Sequence, residues 1–311
     1  MIDIEVKPRS RGFKPVSLSE SPDARVEKVV ADLANRYNCS VHRLRVTVID
    51  DKTKKHVPLD QSKTLVANGV TGDSAVIYVK DLGPQISWRT VFVIEYLGPL
   101  LIHPIVWFAY EHFYPGISRT LVQTLAFYMV QFHFFKREFE TLFVHKFSNA
   151  TMPAFNIFKN SAHYWVLSGI NLSVFIYGPQ VHTTKLSDYV YHVSNHATPV
   201  IGILVGVWFF AEISNFVTHI ILAQLRVNDT KRYVIPYGYG FNWVSCPNYF
   251  FESLAWFAYA LLVGNWSAWL FFVVATAQMW VWAVKKHKRY LKTFGDEYKK
   301  LRRKIYVPFV I

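Results

Sequence analysis

Apolar and polar residues alternate over the first part of the chain, as they do in half-buried β-strands. Residues 2–6 place apolar side chains at every second position, which predicts a strand, and residues 13–18 predict a second strand returning beside it. Leu44–Ile49 and Ala75–Val79 predict two further strands. Between the two pairs, at residues 21–38, apolar side chains recur every three or four positions, which predicts a helix.

The order ββαββ within about 80 residues resembles the ubiquitin-like β-grasp fold. No Gly-Gly pair ends this region, so we do not expect it to be conjugated to other proteins. We expect residues 1–84 to form a cytosolic α+β head that serves as a docking or regulatory module rather than a catalytic one.

From residue 85 onward the chain contains long apolar runs instead. Most of them reach the roughly 20 residues that a helix needs to cross a bilayer core. The last two runs are separated only by Gly264-Asn265, which predicts a helical hairpin. We therefore expect an all-α polytopic membrane domain of about six transmembrane helices at residues 85–311. The six segments are 90–110, 118–135, 161–179, 198–223, 249–264 and 266–284.

Composition and charge agree with a soluble head and a membrane body. Hydrophobic residues make up 52% of the 311 residues and aromatic residues 17%, which excludes a disordered chain. Residues 85–284 contain only 10 Lys and Arg, whereas residues 285–311 contain 10 basic and 2 acidic residues. Because the excess charge lies in this tail and in loops, the net charge of +13 does not indicate a nucleic-acid-binding protein.

The basic residues also predict the orientation of the membrane segments. Loops 136–160 and 224–248 contain four and three Lys or Arg residues, whereas the intervening loops contain one each or none. Since cytoplasmic loops are enriched in Lys and Arg, the head, these two loops and the tail are expected in the cytosol. The polar start of the chain is unlike a signal peptide, and Cys39 and Cys246 form no disulfide or zinc motif.

Charged and amide side chains are costly at membrane depth, so each is a candidate functional residue. Glu95 lies in the first segment, either as an interfacial carboxylate paired with Arg89 or as part of a site. Glu212, Asn215 and His219 recur at spacings of three and four, and so share one helix face. That face is either a polar packing stripe or a binding surface.

The start of the fifth segment and the tail carry further candidates. Asn248, Tyr249 and Glu252 lie within one helical turn, either as a helix-start cap or as functional groups. The tail opens with a basic run that contains Lys286 and His287. Such a run after a membrane helix is either a topology and lipid-surface signal or a binding site for dinucleotide phosphates.

Short motifs in the second half of the chain resemble those of steroid 5α-reductases. They comprise Asn215, His219, Gln224-Leu-Arg226, Ile235-Pro236, Val244-Ser245, Asn248, Glu252, Trp256, Tyr290-Leu-Lys292 and Pro308-Phe309. Other stretches are more similar to the very-long-chain trans-2-enoyl-CoA reductases of that family: Asp81-Leu-Gly-Pro-Gln-Ile-Ser-Trp88, Glu138-Phe-Glu-Thr-Leu-Phe-Val-His145, Thr151-Met-Pro153, Phe158-Lys-Asn160 and Pro247-Asn-Tyr249. The resemblance covers nearly the whole chain, and its steroid-reductase-like part spans about residues 160–311.

The resemblance implies NADPH-dependent reduction of a trans-2-enoyl-CoA in the endoplasmic reticulum membrane, the last step of very-long-chain fatty acid elongation. No Gly-x-Gly-x-x-Gly motif is present, so NADPH is expected between membrane helices rather than on a Rossmann domain. Implied partners are membrane lipid and the elongase, 3-ketoacyl-CoA reductase and 3-hydroxyacyl-CoA dehydratase, with no nucleic acid and no metal. Motif matching assigns the cofactor to Asn215, Arg226, Asn248, Glu252 and Tyr290. His219, which stands where steroid reductases have an acidic residue, and Lys286 and His287 of the basic run are further expected cofactor contacts.

Reduction of an enoyl thioester requires hydride at C3, a proton at C2 and stabilisation of the charge that develops on the thioester oxygen. Tyr249 is the expected proton donor, because a phenol is protonated at neutral pH. Lys136 is expected to ease the loss of that proton or to pair with the CoA phosphates. Glu95 is expected to orient Tyr249 or Lys136, and the resemblance supports all three as essential.

Two other functions remain open at this point. A steroid or sterol double-bond reductase uses the same hydride chemistry on a cyclic enone. A non-enzymatic membrane adaptor would act through the head. The Arg-His-Pro signature of isoprenylcysteine methyltransferases is absent from Lys286-His-Lys288, and no internal repeat favours a transporter.

Overall fold

The computed structural model describes residues 1–147, 150–180, 184–226 and 233–310. The chain divides into two compact units. The first comprises Met1–Trp88 and Asn149–Asn156, and the second comprises Arg89–Ser148 and Ile157–Ile311.

A five-stranded sheet forms most of the first unit, with spatial order β2-β1-β5-β3-β4. β1 pairs in parallel with β5 and antiparallel with β2, while β3 is antiparallel to both β4 and β5. Apolar side chains at alternate positions of β1 are at most 1% exposed, so the predicted alternation does separate a buried from an exposed face. The strands are β1 (Ile2–Pro8), β2 (Val16–Glu20), β3 (Leu44–Ile49), β4 (His56–Pro58) and β5 (Ser74–Asp81).

One helix, α1 (Val26–Arg36), covers the apolar face of this sheet. Its buried residues recur at helical spacing, as predicted: Val26, Val29, Val30, Leu33 and Ala34. Two short strands, β6 (Gln85–Ser87) and β7 (Thr151–Pro153), pair antiparallel in a separate sheet. Sequence reasoning missed both, because three residues are too few to show an alternation. Their pairing explains why a segment near residue 151 belongs to the first unit.

The second unit is helical throughout its described core. Its helices are α2 (Trp88–Phe113), α3 (Leu121–Phe139), α4 (Asn156–Ser161), α5 (Leu172–Ile176), α6 (Lys185–Tyr191), α7 (Thr198–Gln224), α8 (Pro247–Val263), α9 (Trp266–Phe294) and α10 (Asp296–Lys300). A π-helical turn, Glu140–Val144, continues α3, and a π-helical stretch, Ala162–Asn171, joins α4 to α5.

Three helices, α2, α7 and α9, are long and apolar enough to cross a bilayer, judged by length and composition. The six predicted spans are therefore not confirmed. α8 has only 17 residues, α3 carries Lys136 and Arg137 in its last turn, and the third apolar segment is divided among α4, the π-helical stretch and α5. Lys136 lies inside a helix rather than in the loop that the charge pattern had assigned to it.

The predicted hairpin between α8 and α9 is present. Gly264 adopts a φ of +68°, a conformation that costs glycine little, and Asn265 caps α9 by accepting a hydrogen bond from Ser267 N at 2.8 Å. A Cβ on Gly264 would collide with the side chain of Ser194. This turn fixes the relation of α8 to α9, the two helices that carry many of the candidate site residues.

Candidate active site

Two helices of the second unit carry buried ionisable residues at matching spacings. Residues three, four or seven positions apart lie on one helix face, so each set forms a stripe. Most of these side chains are less than 10% exposed, a degree of burial that charged residues reach in proteins chiefly when they are paired. α3 and the turn after it present His133, Lys136, Arg137 and Glu140, and α7 presents Glu212, Asn215 and His219.

Glu212 lies between two cationic or protonatable partners. One carboxylate oxygen is 2.6 Å from Lys136 Nζ, and the other is 2.7 Å from His133 Nδ1. Lys136 also donates to Asn215 Oδ1 at 2.6 Å, and His133 Nε2 is 3.4 Å from Glu252 Oε1. Buried charges are tolerated when they are paired and hydrogen-bonded in this way. The stripe on α7 therefore forms specific ion pairs rather than only a packing surface.

A second ion-pair group centres on Glu140. Arg137 Nη1 is 2.6 Å from Glu140 Oε2, and His219 Nδ1 is 3.0 Å from Glu140 Oε1. Arg137 Nη2 also donates to Tyr96 OH at 2.8 Å. Ligand atoms of Glu140, His145 and His219 lie within 4.8 Å of one another, a spacing compatible with a metal ion. The guanidinium already paired with Glu140 would repel a metal cation, so we assign this group to ion pairing.

The first turn of α8 presents a free acceptor to the site. Asn248 is 6% exposed, and its backbone carbonyl accepts a hydrogen bond from Asn215 Nδ2 at 2.9 Å. Its side-chain Oδ1 is buried without a hydrogen-bond partner in the described part of the chain. The N-cap of α8 is Cys246, which makes no side-chain capping bond, so Asn248 and Glu252 are not the helix cap that the sequence left open. A buried unpaired acceptor beside a carboxylate suits a ligand with N–H donors.

Tyr249 follows Asn248 and is partly buried, with its ring centroid 6.1 Å from that of Trp282. Within the described residues its hydroxyl makes no hydrogen bond, and no hydrogen bond or ion pair joins it to Lys136 or Glu95. The expected contact of Lys136 with Tyr249 is absent because Glu212 and Asn215 hold the ammonium group on α7. The Tyr249 hydroxyl is thus available to a substrate.

Glu95 lies on α2 and is 1% exposed. Its carboxylate interacts with Asn160 and Arg137, and its buried Oε1 has no hydrogen-bond partner among the described residues. Pairing with Arg89, one of the two interpretations of the sequence, is not observed, and Arg89 is exposed. Because Glu95 contacts neither Tyr249 nor Lys136 among the described residues, its predicted orienting role would have to act through Asn160 or Arg137.

The candidates in the tail lie in a separate group around α9. Tyr290 is 2% exposed and is stacked between Tyr233 and Tyr298, at centroid distances of 5.1 and 5.0 Å. His287 Nδ1 is 2.6 Å from the hydroxyl of Ser245, and Lys286 lies beside Cys246. Arg226 donates to the carbonyl oxygen of Lys146. Two further basic residues of the loop after α7, Lys231 and Arg232, lie outside the described residues.

Sequence reasoning missed four members of the buried network: Tyr96, His133, Arg137 and Glu140. The signal was present, because residues 133, 136, 137 and 140 repeat the spacing that drew attention to α7. In the sequence, Lys136 and Arg137 look like loop charges, since a positive charge at the end of an apolar run usually marks a membrane boundary.

Comparison of the sequence with known proteins identifies the family of this chain. Residues 150–311 match the family model described as 3-oxo-5-alpha-steroid 4-dehydrogenase, and the chain belongs to this steroid 5α-reductase family. Family membership makes it an oxidoreductase that acts on carbon–carbon double bonds and implies a nicotinamide cofactor. The family predicted from the motifs is thus confirmed.

Within the family, several relatives that match most of this chain are named as enoyl reductases or enoyl-CoA reductases. The chain is 37% identical to the very-long-chain enoyl-CoA reductase of Dictyostelium discoideum, with 100% of both chains covered. It is 48% identical to a putative enoyl reductase of Schizosaccharomyces pombe, over 97% of this chain and 98% of the relative. It is 36% identical to a probable very-long-chain enoyl-CoA reductase of Caenorhabditis elegans, over 83% and 82% of the two chains.

Proposed function

We propose that this protein reduces very-long-chain trans-2-enoyl-CoA to saturated acyl-CoA with NADPH, as the last step of fatty acid elongation. The observation that carries the proposal is the first turn of α8, where a partly buried phenol and a buried amide oxygen lie on neighbouring residues, each without a hydrogen-bond partner among the described residues. The names of the Dictyostelium discoideum and Caenorhabditis elegans relatives support an enoyl-CoA rather than a steroid as substrate.

The residues present fit a nicotinamide cofactor. Asn248 Oδ1 has no donor in the part of the chain that the structure describes, and Glu252 offers a carboxylate one turn further along the same helix, with a side chain 17% exposed. Both are acceptors, as the amide N–H groups of a nicotinamide carboxamide require. Arg226, Lys286 and His287 would hold its phosphates through charge-assisted hydrogen bonds. NADPH bound there would supply the hydride for C3 of the substrate.

Tyr249 would hold the proton at its hydroxyl oxygen and deliver it to C2 as general acid. Contacts with Glu212 and Asn215 hold the Lys136 ammonium group in place, and Asn215 links it to the carbonyl of Asn248. We propose that this fixed positive charge stabilises the negative charge that develops on the thioester oxygen. Its second proposed role, pairing with CoA phosphates, requires that the headgroup reach the end of α3.

The proposal extends to the whole chain. The strand order of the first unit, with α1 on one face, supports a ubiquitin-like β-grasp head at residues 1–84. The three long apolar helices support a membrane protein. On the charge of the loops and the tail and on the family resemblance, we propose six spans with cytosolic termini in the endoplasmic reticulum membrane, associated with the other elongation enzymes. A glycosylation acceptor placed in the tail should remain unmodified, and efficient modification there would contradict this topology.

The proposed function is tested with the purified protein in lipid nanodiscs. A long trans-2-enoyl-CoA or a steroid enone is offered with NADPH or NADH, and the products are identified by mass spectrometry. We expect saturated acyl-CoA with NADPH, much less with NADH, and little steroid reduction. Preferential reduction of the enone would favour a steroid or sterol reductase. Loss of the protein's cellular role on deleting the head, with no turnover of either substrate, would favour an adaptor.

A further inference from the structure

The C-terminal segment of the chain crosses the start of α8. Lys304 N donates to Trp243 O, and Ser245 N donates to Lys304 O, both at 2.9 Å, so that Val244 and Lys304 form a parallel bridge. Two residues further, Tyr306 enters the helical core, where it is 4% exposed and its ring centroid lies 5.7 Å from that of Trp280. The segment thus places one tyrosine against the turn that carries Asn248 and Tyr249.

The Tyr306 hydroxyl completes a directed chain of hydrogen bonds. Thr276 Oγ1 donates to Ser253 Oγ at 3.0 Å, and Ser253 Oγ lies 2.5 Å from Tyr306 OH. Tyr306 OH donates to the backbone carbonyl of Tyr249 at 3.1 Å. Each hydroxyl has one proton to donate, so the arrangement is fully satisfied if Thr276 donates to Ser253, Ser253 to Tyr306 and Tyr306 to the carbonyl. In this order the Tyr306 hydroxyl donates its proton to the backbone carbonyl of Tyr249.

The bonded carbonyl already has a partner within the helix, because a carbonyl in the first turn accepts the amide four residues on. The bond from Tyr306 is therefore not needed to satisfy it. The preceding carbonyl, that of Asn248, likewise accepts a second bond, from Asn215 on α7. Two adjacent carbonyls are thus held by side chains from α7 and from the C-terminal segment, which fixes the rotation of the turn between them.

We propose that Tyr306 is a positioning residue for Tyr249. By holding the Tyr249 carbonyl, its hydroxyl fixes the direction in which the Tyr249 phenol leaves α8, and so its distance from C2 of the bound enoyl-CoA. This inference rests on the proposed function. A displacement of about 1 Å at a reacting group can lower a rate by up to about 100-fold, so a single anchoring bond is sufficient to matter.

The test compares the purified full chain with Tyr306→Phe, which keeps the ring and its packing and removes only the hydroxyl. Turnover of long trans-2-enoyl-CoA, the KM for NADPH and the thermal midpoint are measured on one preparation. We expect kcat to fall about 10-fold, the size that loss of one net hydrogen bond allows, with the KM for NADPH unchanged and the thermal midpoint lowered by no more than the few degrees that one buried hydrogen bond contributes. Ser253→Ala removes the hydroxyl that donates to Tyr306, and it should lower kcat less than Tyr306→Phe does.

Two further variants make the result specific to Tyr249. Adding Tyr306→Phe to Tyr249→Phe should produce no further loss, because the residue being positioned is already inactive. Tyr259→Phe is the matched control, since Tyr259 is a buried tyrosine of α8 whose hydroxyl has no partner in the described chain. It should retain wild-type turnover.

The proposal is overturned if Tyr306→Phe turns over at the wild-type rate, or if its loss adds to that of Tyr249→Phe. A fall in turnover that only follows the loss of folded protein would assign the hydroxyl to folding and would also overturn the proposal. Failure of the proposed function is a separate result, because wild type itself would then not reduce the enoyl-CoA.

Discussion

The two units of this chain differ in the kind of side chain that they bury. In the first unit the core is apolar, and the ion pair between Lys28 and Glu20 reaches the surface, where the lysine side chain is 63% exposed. In the second unit Lys136 and Glu212 are paired at 2.6 Å with side chains 9% and 2% exposed. Apolar burial suffices to stabilise a small sheet and helix, whereas buried charges lower stability unless each is matched. We therefore propose that the buried network of the second unit serves a site.

The largest expected effect is that of Tyr249→Phe in the second unit. If Tyr249 delivers the proton, turnover should fall by roughly 10²–10⁴-fold, the usual size of a general-acid contribution. Protein level and NADPH affinity should remain near wild type, because Asn248 and Glu252 are unchanged. Normal abundance and normal cofactor affinity with near-normal turnover would remove Tyr249 from the mechanism.

Neutralising one carboxylate in each unit tests the comparison directly. Glu212→Gln removes the nearest carboxylate from both Lys136 and His133, and should destabilise the protein by about 3 kcal/mol. Glu20→Gln is the matched control, because Glu20 pairs with an exposed lysine and should change stability little. Thermal unfolding of both variants in the same nanodiscs provides the measurement. Equal losses of stability in the two variants would show that the two ion pairs contribute alike to the fold.

Glu252→Gln should affect cofactor use more than folding. Glu252 lies one turn after Asn248, 3.4 Å from His133 Nε2, and its side chain is partly exposed. Loss of a charge-assisted hydrogen bond to the cofactor should raise the KM for NADPH about 10-fold or more. Kinetics at varied NADPH concentrations measure this value. If the KM is unchanged, Glu252 does not contact the cofactor.

Removing the first unit should have a smaller effect on chemistry. A chain without residues 1–80 retains Gln85–Ser87, the strand that pairs with Thr151–Pro153. We expect turnover per protein molecule to remain within about threefold of wild type, because the site residues all belong to the second unit. Complete loss of turnover in a well-folded, NADPH-binding preparation would make the head part of the catalytic unit.

The smallest predicted effect is a pH dependence in the first unit. The hydrogen bond from Arg43, at 2.6 Å, lowers the pKa of Asp81 below its ordinary value of 3.8. A carboxyl whose pKa is lower in the folded state stabilises the fold above the unfolded pKa, and this stabilisation is lost as the pH falls through the folded pKa. Asp81→Asn should therefore reduce stability at neutral pH, and the difference from wild type should shrink below about pH 4. Thermal midpoints across pH 3–7 measure it.

Most of the head could be predicted from the sequence, because alternation and helical spacing directly encode which side chains are buried. Leu44–Ile49 has the predicted bounds, whereas α1 begins only at Val26, since the preceding residues form a turn and a β-bridge. The short strands Gln85–Ser87 and Thr151–Pro153 depend on a pairing between distant parts of the chain, which local patterns do not reveal.

For the site, the α7 and α8 candidates were found because amides and carboxylates are conspicuous in apolar helices. On α3, Lys136 was predicted but with another partner, whereas His133, Arg137 and Glu140 were missed, because charges at the end of an apolar run look like ordinary boundary charges until the helix is seen to continue to Phe139. The pairing of Glu212 with both His133 and Lys136 depends on the packing of two helices about 80 residues apart in sequence. No pattern within either helix alone specifies that contact.

The central claim is that the second unit transfers hydride to C3 of an enoyl thioester and that the protein supplies the proton at C2. The most direct test is reduction of a long trans-2-enoyl-CoA by the purified protein with NADPH deuterated at both C4 positions, in ordinary water. Mass spectrometric fragmentation of the product locates the label. The account predicts one deuterium per saturated acyl-CoA, located at C3, and none at C2. Deuterium at C2, or no saturated product at all, would contradict it.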